Sequence, residues 1–302
     1  MISAEPNLSG NNETDLKLLC FGFGYTARAL AEDLKRAGWG VVGTCCEAEE
    51  IKGQGTHEGV SVHEFNRHHP LPRDVFAHVT HVLVSVPPNE DGDSVIDMHK
   101  KDLVTMAGLQ WVGYLSTTGV YGDRDGNWVD EESPLRPSGD RGRRRVVAED
   151  DWCALWKCLG VPIHIFRLAG IYGPGRSVLD TVRSGKAKKI LKPGQVFSRI
   201  HVADIVRVLR ASMARPRPGA IYNVCDDEPA PSQDVMDYAC SLLETEPPPA
   251  VSLEKATLSE IARSFYDDNK RVCNQRIKEE LSVALEFPDY RKGLGSLLRG
   301  EG

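Results

Sequence analysis

The feature that most constrains the fold is an apolar run near the start of the chain that ends in a glycine turn. Residues 16–21 have the length and apolar character of a strand buried in a parallel sheet. The run breaks at residues 22–24, and apolar residues then recur at helical spacing up to Gly38. A second apolar run occupies residues 40–44. The segment therefore predicts a strand, a glycine turn, a helix and a second strand.

The glycine turn contains the pattern GxGxxA, formed by Gly22, Gly24 and Ala27. In dinucleotide-binding folds the first glycine permits the tight turn, the second lets the backbone approach a pyrophosphate, and the small third residue permits close packing of helix and strand. The following helix would present free N–H groups and the positive end of its dipole to the phosphates. We therefore expect an NAD or NADP site that includes Gly22, Gly24, Tyr25, Thr26 and Ala27.

The end of the second strand normally distinguishes NAD from NADP. An acidic residue there pairs with the 2′-hydroxyl of the adenosine ribose, whereas an arginine accommodates a 2′-phosphate. The residues here are Cys45, Cys46 and Glu47, with Lys52 nearby and no arginine. Glu47 is therefore expected to be a cofactor residue, and the preference between NAD and NADP stays open.

Three further apolar runs, at 81–86, 111–116 and 163–168, are separated by helical or loop segments. Strands that alternate with helices predict an α/β fold with a doubly wound, parallel Rossmann-type sheet. Ligands of such sheets bind at the carboxyl ends of the strands. Ser85 and Pro87 lie at one such end, and we expect both to contact the cofactor.

Composition and charge exclude several classes of function. The net charge of −6 argues against nucleic-acid binding, and the four arginines within residues 141–145 are flanked by acidic residues and lack interleaved aromatics. No apolar run approaches the roughly 18 residues that span a bilayer. The eight cysteines contain no CxxC pair, which indicates reduced thiols. We expect a cytoplasmic protein without nucleic-acid or membrane partners; a plastid or another internal compartment stays open.

Four histidines lie close together in the sequence, at positions 57, 63, 68 and 69. Their spacing matches no standard zinc pattern, and no cysteine accompanies them. No metal site is therefore predicted.

Six segments follow one another in the order that is typical of a known family. They are GFGYTA at 22–27, LSTTGVYGD at 115–123, RLAGIYGPGR at 167–176, RIHVADIVRVL at 199–209, YNVCDDEPAPSQDV at 222–235 and NKRVCNQRIKEEL at 269–281. From about residue 16 to 296, the chain resembles the extended short-chain dehydrogenase/reductases of the nucleotide-sugar epimerase/dehydratase type. The resemblance implies an NAD(P)-binding Rossmann domain and a smaller C-terminal domain that covers the substrate.

The expected domain organisation follows from this resemblance and from the composition. Residues 1–15 form a flexible polar tail, and residues 16–170 form the NAD(P)-binding domain. Residues 171–302, where the pattern is less regular, form the smaller substrate-side domain with segments that return to the main sheet.

The resemblance also places candidate catalytic residues. Thr117, with Thr118 beside it as a substrate-binding residue, matches a family hydroxyl that bonds the reacting substrate oxygen. The family's Tyr-x-x-x-Lys pair puts an acid–base tyrosine and its lysine on one helix face. Alignment on Ala148 and Glu149 places Arg141 and Arg145 at those two positions, which defines an atypical subtype that lacks the pair. Arginine stays protonated at physiological pH and does not replace the acid–base role of a phenol.

Two functions therefore stay open. In the first, the protein is an NAD(P)-dependent epimerase, dehydratase or reductase for a small, anionic or nucleotide-sugar-like substrate. Tyr121 or Tyr172 would then move the proton, and Arg141 and Arg145 would anchor an anionic group. By resemblance, the substrate-binding residues also include Arg176 and Arg199. In the second, the protein is a catalytically inactive NAD(P)-binding sensor or regulator.

The helix that follows Gly139 carries apolar residues on one face. We expect Arg143 and Arg144 to be solvated or to pair with Glu149 and Asp150. The resemblance implies a homodimer in which this helix and the one near residues 95–108 pair with their copies.

Overall fold

The computed structural model describes residues 16–47 and 59–300. Its centre is a parallel sheet of seven strands in the order β11-β7-β5-β4-β1-β2-β3. These strands are β1 (Lys17–Phe21), β2 (Gly40–Cys45), β3 (Ser61–Glu64), β4 (His81–Val84), β5 (Trp111–Thr117), β7 (Ile163–Leu168) and β11 (Ile221–Val224). The predicted doubly wound, parallel Rossmann-type sheet is confirmed.

Helices of the described residues lie on both sides of the sheet and around its carboxyl edge. They are α1 (Tyr25–Arg36), α2 (Ser94–Thr105), α3 (Asp140–Leu159), α4 (Val178–Arg183), α5 (Val202–Ala214), α6 (Ser232–Leu242), α7 (Glu260–Ser264), α8 (Gln275–Leu281) and α9 (Tyr290–Arg299). Short 3-10 turns occupy Arg73–Phe76 and Thr118–Tyr121. None of these helices is long and apolar enough to cross a membrane.

Each face of the sheet buries its own hydrophobic core. On one face, α1 and α5 contribute Leu30 and Leu209 to a cluster that includes Leu18 of β1. On the other face, α2 and α3 contribute Leu103 and Trp152. The strands read as nearly continuous apolar runs because both of their faces are covered.

The second half of the chain both extends the main sheet and builds small pairs of strands. Strand β11 pairs with β7, and α5 packs with α1. The small parallel pairs are β8 (Gly170–Tyr172) with β10 (Arg199–His201), β9 (Lys189–Leu191) with β12 (Ala250–Ser252), and β6 (Trp128–Val129) with β13 (Arg271–Val272). The division of the chain at residue 170 stays a prediction.

The expected strand over residues 81–86 is shorter in the structure, because β4 ends at Val84. The backbone N–H of Ser85 still donates to the carbonyl oxygen of Phe21 at 2.9 Å, and its hydroxyl donates to the carbonyl oxygen of Gly22 at 2.7 Å. The end of β4 is thus fastened to the glycine turn.

Replacing Gly22 by alanine should destabilise the fold by about 2 kcal/mol or more, because φ is positive there and a Cβ would meet the side chain of Ser85. Gly38→Ala is the matched control, since Gly38 has a similar φ but open space around the Cβ position. Urea unfolding of both variants measures the difference. Equal losses of stability would show that the contact with Ser85 contributes nothing.

Candidate active site

The glycine turn is held between the ends of two neighbouring strands. Gly22 has a φ of 86°, and its N–H donates to Oγ1 of Thr44 at 2.9 Å. Its carbonyl accepts from Ser85. The backbone is therefore fixed by β2 on one side and by the end of β4 on the other.

Gly24 leaves open space at the start of α1. It is the N-cap residue of the helix and provides no side-chain cap, and no heavy atom lies within 4 Å of the place that a Cβ would occupy. Behind it, Thr26 and Ala27 are buried against the sheet. This cradle fits the pyrophosphate of a dinucleotide, because a backbone without a side chain borders open space at the positive end of a helix.

The loop after β8 touches the start of α1. Tyr25 donates its hydroxyl hydrogen to the carbonyl oxygen of Pro174 at 3.0 Å. Arg176 lies over the Tyr25 ring, with Cζ 5.5 Å from the ring centroid. The structure therefore places Arg176, a predicted substrate residue, beside the glycine turn.

The predicted residues at the ribose end of the site are exposed. Glu47 follows β2, and Pro87 lies in the loop after β4. The side-chain amide of Asn66 donates to the carbonyl oxygen of Cys46 at 3.0 Å. Lys52 lies outside the described residues, so the structure does not add to the choice between NAD and NADP.

Of the four clustered histidines, His57 is outside the described residues. The Nδ1 atom of His69 lies 3.2 Å from Oε1 of Glu64. Over residues 16–47 and 59–300, no group of three histidine, cysteine or acidic side chains is placed to hold a metal ion.

A cavity of about 760 Å³ lies at the carboxyl ends of β5 and β7. Thr117, Thr118 and residues 168–172 border it on the side of the sheet, and the opposite walls come from the second half of the chain. The Oγ1 atom of Thr117 accepts from the N–H of Gly119 at 3.1 Å. The hydroxyl hydrogen of Thr117 is thus available to donate to a bound molecule.

Arg199 contributes a cation to the wall of this cavity. Its Nη1 donates to the carbonyl oxygens of Phe197 at 2.8 Å and Ala230 at 2.9 Å. Burial lowers the pKa of the guanidinium, and the neighbouring Asp226 opposes that shift. Burial raises the pKa of Asp226 to about 8, and the charge of Arg199 acts in the opposite direction.

Lys270 is a second cation of the cavity, and sequence reasoning had missed it. Its Nζ lies 3.0 Å from Oδ2 of Asp268, whose Oδ1 accepts from the hydroxyl of Ser138 at 2.5 Å. Burial lowers the pKa of Lys270, and the carboxylate of Asp268 acts in the opposite direction. Because Ser138 lies two residues before α3, the pair is connected to the helix start that carries the predicted arginines.

The two predicted arginines of α3 differ in their surroundings. Arg141 is exposed. Arg145 is partly buried; its Nη1 donates to the carbonyl oxygen of Leu115, and its Cζ lies 5.5 Å from the centroid of the Tyr114 ring. Gly142 lets the start of α3 lie close to the 3-10 turn at Thr118–Tyr121, because a Cβ at Gly142 would be 3.0 Å from the carbonyl oxygen of Gly119.

Arg143 and Arg144 were expected to be solvated or to pair with Glu149 and Asp150. Their side chains are largely or partly exposed, and the pairing is wrong. Arg143 bonds Asp140 in the first turn of α3, and Arg144 Nη2 lies 3.6 Å from Oε1 of Glu90. Glu149 faces the sheet, where it contacts Ser116 and Arg167. Its position on the helix therefore points away from Arg143 and Arg144.

Tyr121 and Tyr172, the two predicted proton carriers, have buried hydroxyls. Tyr121 accepts from Nη1 of Arg167 at 2.9 Å and donates to Oδ1 of Asn223 at 2.7 Å; burial raises its pKa to about 12. Tyr172 borders the cavity, but its hydroxyl packs against Gly293, where a Cβ would collide with it. Burial also raises the pKa of Tyr172.

A buried ion pair beneath the cavity was also missed. Glu149 and Arg167 have side chains that are each 3% exposed, with Nη2 of the arginine 2.7 Å from Oε2. Ser116 donates to Oε1 of Glu149 at 2.5 Å. The pair thus joins α3 to the ends of β5 and β7. In the sequence, Ala148-Glu149 had served only to align the chain with the family. The signal that could have indicated a buried charge was the position of Glu149 between Ala148 and Trp152, two residues of the apolar helix face.

Comparison with known proteins assigns the chain to a family. A profile described as the NAD dependent epimerase/dehydratase family matches residues 91–225. A solved structure of a functionally unknown conserved protein from Silicibacter pomeroyi DSS is 50% identical, covers 94% of this chain and 98% of its own, and has a TM-score of 0.87. The chain thus contains a domain of the NAD-dependent epimerase/dehydratase family at residues 91–225. This confirms the resemblance seen in the sequence.

Two other proteins are less similar to this chain in sequence. Protein YeeZ of Escherichia coli K12 is 27% identical over 286 residues, which are 90% of this chain and 97% of that protein. The dTDP-glucose 4,6-dehydratase of Bacillus anthracis, solved in complex with NAD, is 15% identical, with a TM-score of 0.72 and coverage of 94% and 96%. At that identity the likeness concerns the fold alone. The assignment of Arg141 and Arg145 to the family's tyrosine and lysine positions stays a prediction.

Glu149→Gln should lower the free energy of unfolding by about 3–5 kcal/mol, because Arg167 would stay buried without a compensating charge. Asp151→Asn, on the exposed side of the same helix, should change it by no more than about 0.5 kcal/mol. Denaturant unfolding at neutral pH measures both. Equal values for the two variants would contradict a structural role for the ion pair.

Proposed function

We propose that this protein is an NAD(P)-dependent oxidoreductase or epimerase that acts on a small organic molecule in the β5–β7 cavity. The observation that carries the proposal is that one loop borders both halves of the site. Tyr172 borders the cavity, and Pro174, two residues later, bonds Tyr25 at the glycine turn. A dinucleotide on the turn and a substrate in the cavity would therefore be neighbours.

The residues of the glycine turn would hold the dinucleotide. The backbone of Gly22, Gly24 and Tyr25 would border the pyrophosphate, and the buried Thr26 and Ala27 pack the helix start against the sheet. Arg176, over the Tyr25 ring, would add a positive charge beside the turn. Ser85 keeps the turn in place, and Glu47 and Pro87 lie at its borders. When bound, the nicotinamide group accepts or donates a hydride. The complex of the Bacillus anthracis dTDP-glucose 4,6-dehydratase with NAD supports this use of the fold.

The substrate would be positioned by the end of β5. The Thr117 hydroxyl donates to the reacting oxygen of the substrate, and Thr118 lies next to it on the same wall. Arg141 is exposed at the start of α3 and does not border the cavity, so its role as an anchor of an anionic group stays a prediction. Arg145 is held by the carbonyl oxygen of Leu115 and supports the strand end.

We propose Lys270, rather than Tyr121 or Tyr172, as the group that holds the transferable proton. Lys270 borders the cavity, and burial lowers its pKa below the ordinary value for lysine. The hydroxyl of Tyr121 is already bonded on both sides, and raised pKa values keep both tyrosines protonated at neutral pH. A tyrosine of this kind does not accept a proton from a substrate.

A second candidate function is an NAD(P)-binding sensor without turnover. It is favoured by α3, which contains no tyrosine and whose lysine, Lys157, lies in the last turn. Both functions require a dinucleotide on the glycine turn, but hydride transfer occurs only in the first. Incubation with reduced cofactor and a panel of small ketones and aldehydes distinguishes them: oxidation of the cofactor supports the enzyme, and binding without oxidation supports the sensor.

Gly24→Ala should weaken the binding of NAD(H) or NADP(H) by about tenfold or more, because the new methyl group would fill the space that the pyrophosphate needs. Its stability should change by no more than about 1 kcal/mol, since φ is −85° and no atom is close. Calorimetric titration with all four cofactor forms, together with urea unfolding, measures both quantities. Failure of the unaltered protein to bind any form would reject both candidate functions.

The pKa of Lys270 should lie below the ordinary value for lysine and should fall further in Asp268→Asn, because the nearby carboxylate favours the charged form. NMR titration of ¹³C-methylated lysines measures it, and Lys270→Arg identifies the resonance. If Lys270 donates the proton, hydride transfer to a carbonyl substrate falls as pH rises through this pKa. An unchanged or higher value in Asp268→Asn would contradict the assignment.

Two further expectations stay proposals. We propose a homodimer that pairs α2 and α3 with their copies, supported by exposed apolar residues on these helices, Val104, Val147 and Leu159. We also propose a cytoplasmic or other internal location, supported by eight cysteines without a CxxC pair.

A further inference from the structure

The β5–β7 cavity has mostly apolar walls. The wall formed by the second half of the chain includes Ile190, Val196, Phe197 and Met236. Leu168 at the end of β7 and Ile171 of β8 add further aliphatic surface. Such a lining binds apolar groups well, because their transfer from water is favourable and needs no hydrogen-bond partners.

The mouth of the cavity continues this apolar surface into solvent. Ile261 and Phe265 border the cavity, yet their side chains are 59% and 60% exposed. They lie on or beside the short helix α7, one turn apart, and therefore on the same side of it. Large apolar side chains exposed together at the rim of a cavity indicate contact with an apolar ligand.

The charged groups of the cavity have a positive balance. Lys186, Lys188, Arg199 and Lys270 border it, against the single carboxylate of Asp268. That carboxylate is already paired with Lys270 at 3.0 Å. Lys188 donates to the carbonyl oxygen of Thr257 at 2.7 Å, so its charge has no acidic partner there. Within the described part of the chain, Lys186 and Arg199 are likewise free of direct contact with a carboxylate.

We propose that the β5–β7 cavity binds an amphiphilic organic anion, with an apolar body against Phe197, Met236 and Phe265 and its carboxylate or other anionic group near Lys186 and Arg199. This substrate class rests on the proposed function, since it names the molecule that would meet the dinucleotide. A nucleotide sugar fits these walls poorly, because its many hydroxyls would lose water without gaining partners from apolar side chains.

Calorimetric titration of the full chain with three small molecules tests the proposal. Decanoate has an apolar body and a carboxylate, 1-decanol has the same body without charge, and UDP-glucose is a nucleotide sugar. We expect decanoate, kept below its critical micelle concentration, to bind at least about tenfold more tightly than either of the others. Preferred binding of UDP-glucose, or equal binding of decanoate and 1-decanol, would overturn the proposal.

Variants locate the bound anion. Phe265→Ala should weaken decanoate binding by about five- to tenfold, because it removes apolar contact area. Lys186→Gln should weaken the binding of decanoate but leave the binding of 1-decanol unchanged, because only the carboxylate of decanoate interacts with the charge of Lys186. Leu159→Ala and Lys100→Gln are matched controls for exposed residues that do not border the cavity. Equal effects in variants and controls would show that decanoate binds elsewhere, which also overturns the proposal.

The same titrations separate this inference from the proposed function. Decanoate, 1-decanol and UDP-glucose are compared without any dinucleotide, so their ranking does not depend on the glycine turn. Binding of NAD(H) or NADP(H) with preference for UDP-glucose would overturn the substrate class alone. Binding of decanoate with no binding of any dinucleotide would reject the proposed function and keep the amphiphile site.

Discussion

The carboxyl edge of the sheet depends on the ion pair between Glu149 and Arg167. Two charges removed from water are tolerated only when their geometry is good and their remaining hydrogen bonds are satisfied. Here Arg167 donates to the carboxylate of Glu149 through Nε and Nη2, and the hydroxyl of Ser116 donates to one of the carboxylate oxygens. Because these residues come from a helix and two neighbouring strands, the cavity above them has a rigid base.

The network continues from this pair to the edge of the sheet. Arg167 also donates to Tyr121, and Tyr121 donates to Asn223 on β11. The backbone N–H of Asn223 donates to Oε1 of Glu131 at 2.7 Å. The second half of the chain is thus joined to the first by buried polar contacts as well as by the strand pairing of β11 with β7.

The fold could be predicted well from the sequence, and the site only in part. The glycine turn could be predicted because its features are local in sequence: a positive φ, a missing Cβ and a small helix residue all lie within a few positions. The strands could be predicted because a strand that is buried on both faces is a continuous apolar run in the sequence. Lys270 and Asp268 were missed because they reach the cavity from a segment far away in sequence. The segment NKRVCNQRIKEEL supported the family resemblance, but nothing in it indicated that its lysine would border the cavity. Arg176 was assigned to the substrate, but its contact with Tyr25, far away in sequence, places it at the glycine turn.

The hydrogen bonds around Tyr121 can run in only one direction. Arginine only donates, so the Tyr121 oxygen must accept from Arg167 and its single hydrogen must point to Asn223. The amide of Asn223 therefore turns its oxygen to Tyr121 and its NH₂ group to the carbonyl oxygen of Cys273, at 3.1 Å. A chain of donors that begins at a permanent cation and ends at a backbone carbonyl has no acceptor for an incoming proton. The Tyr121 chain therefore fixes the strand ends beneath the cavity and does not itself relay protons to or from a bound molecule.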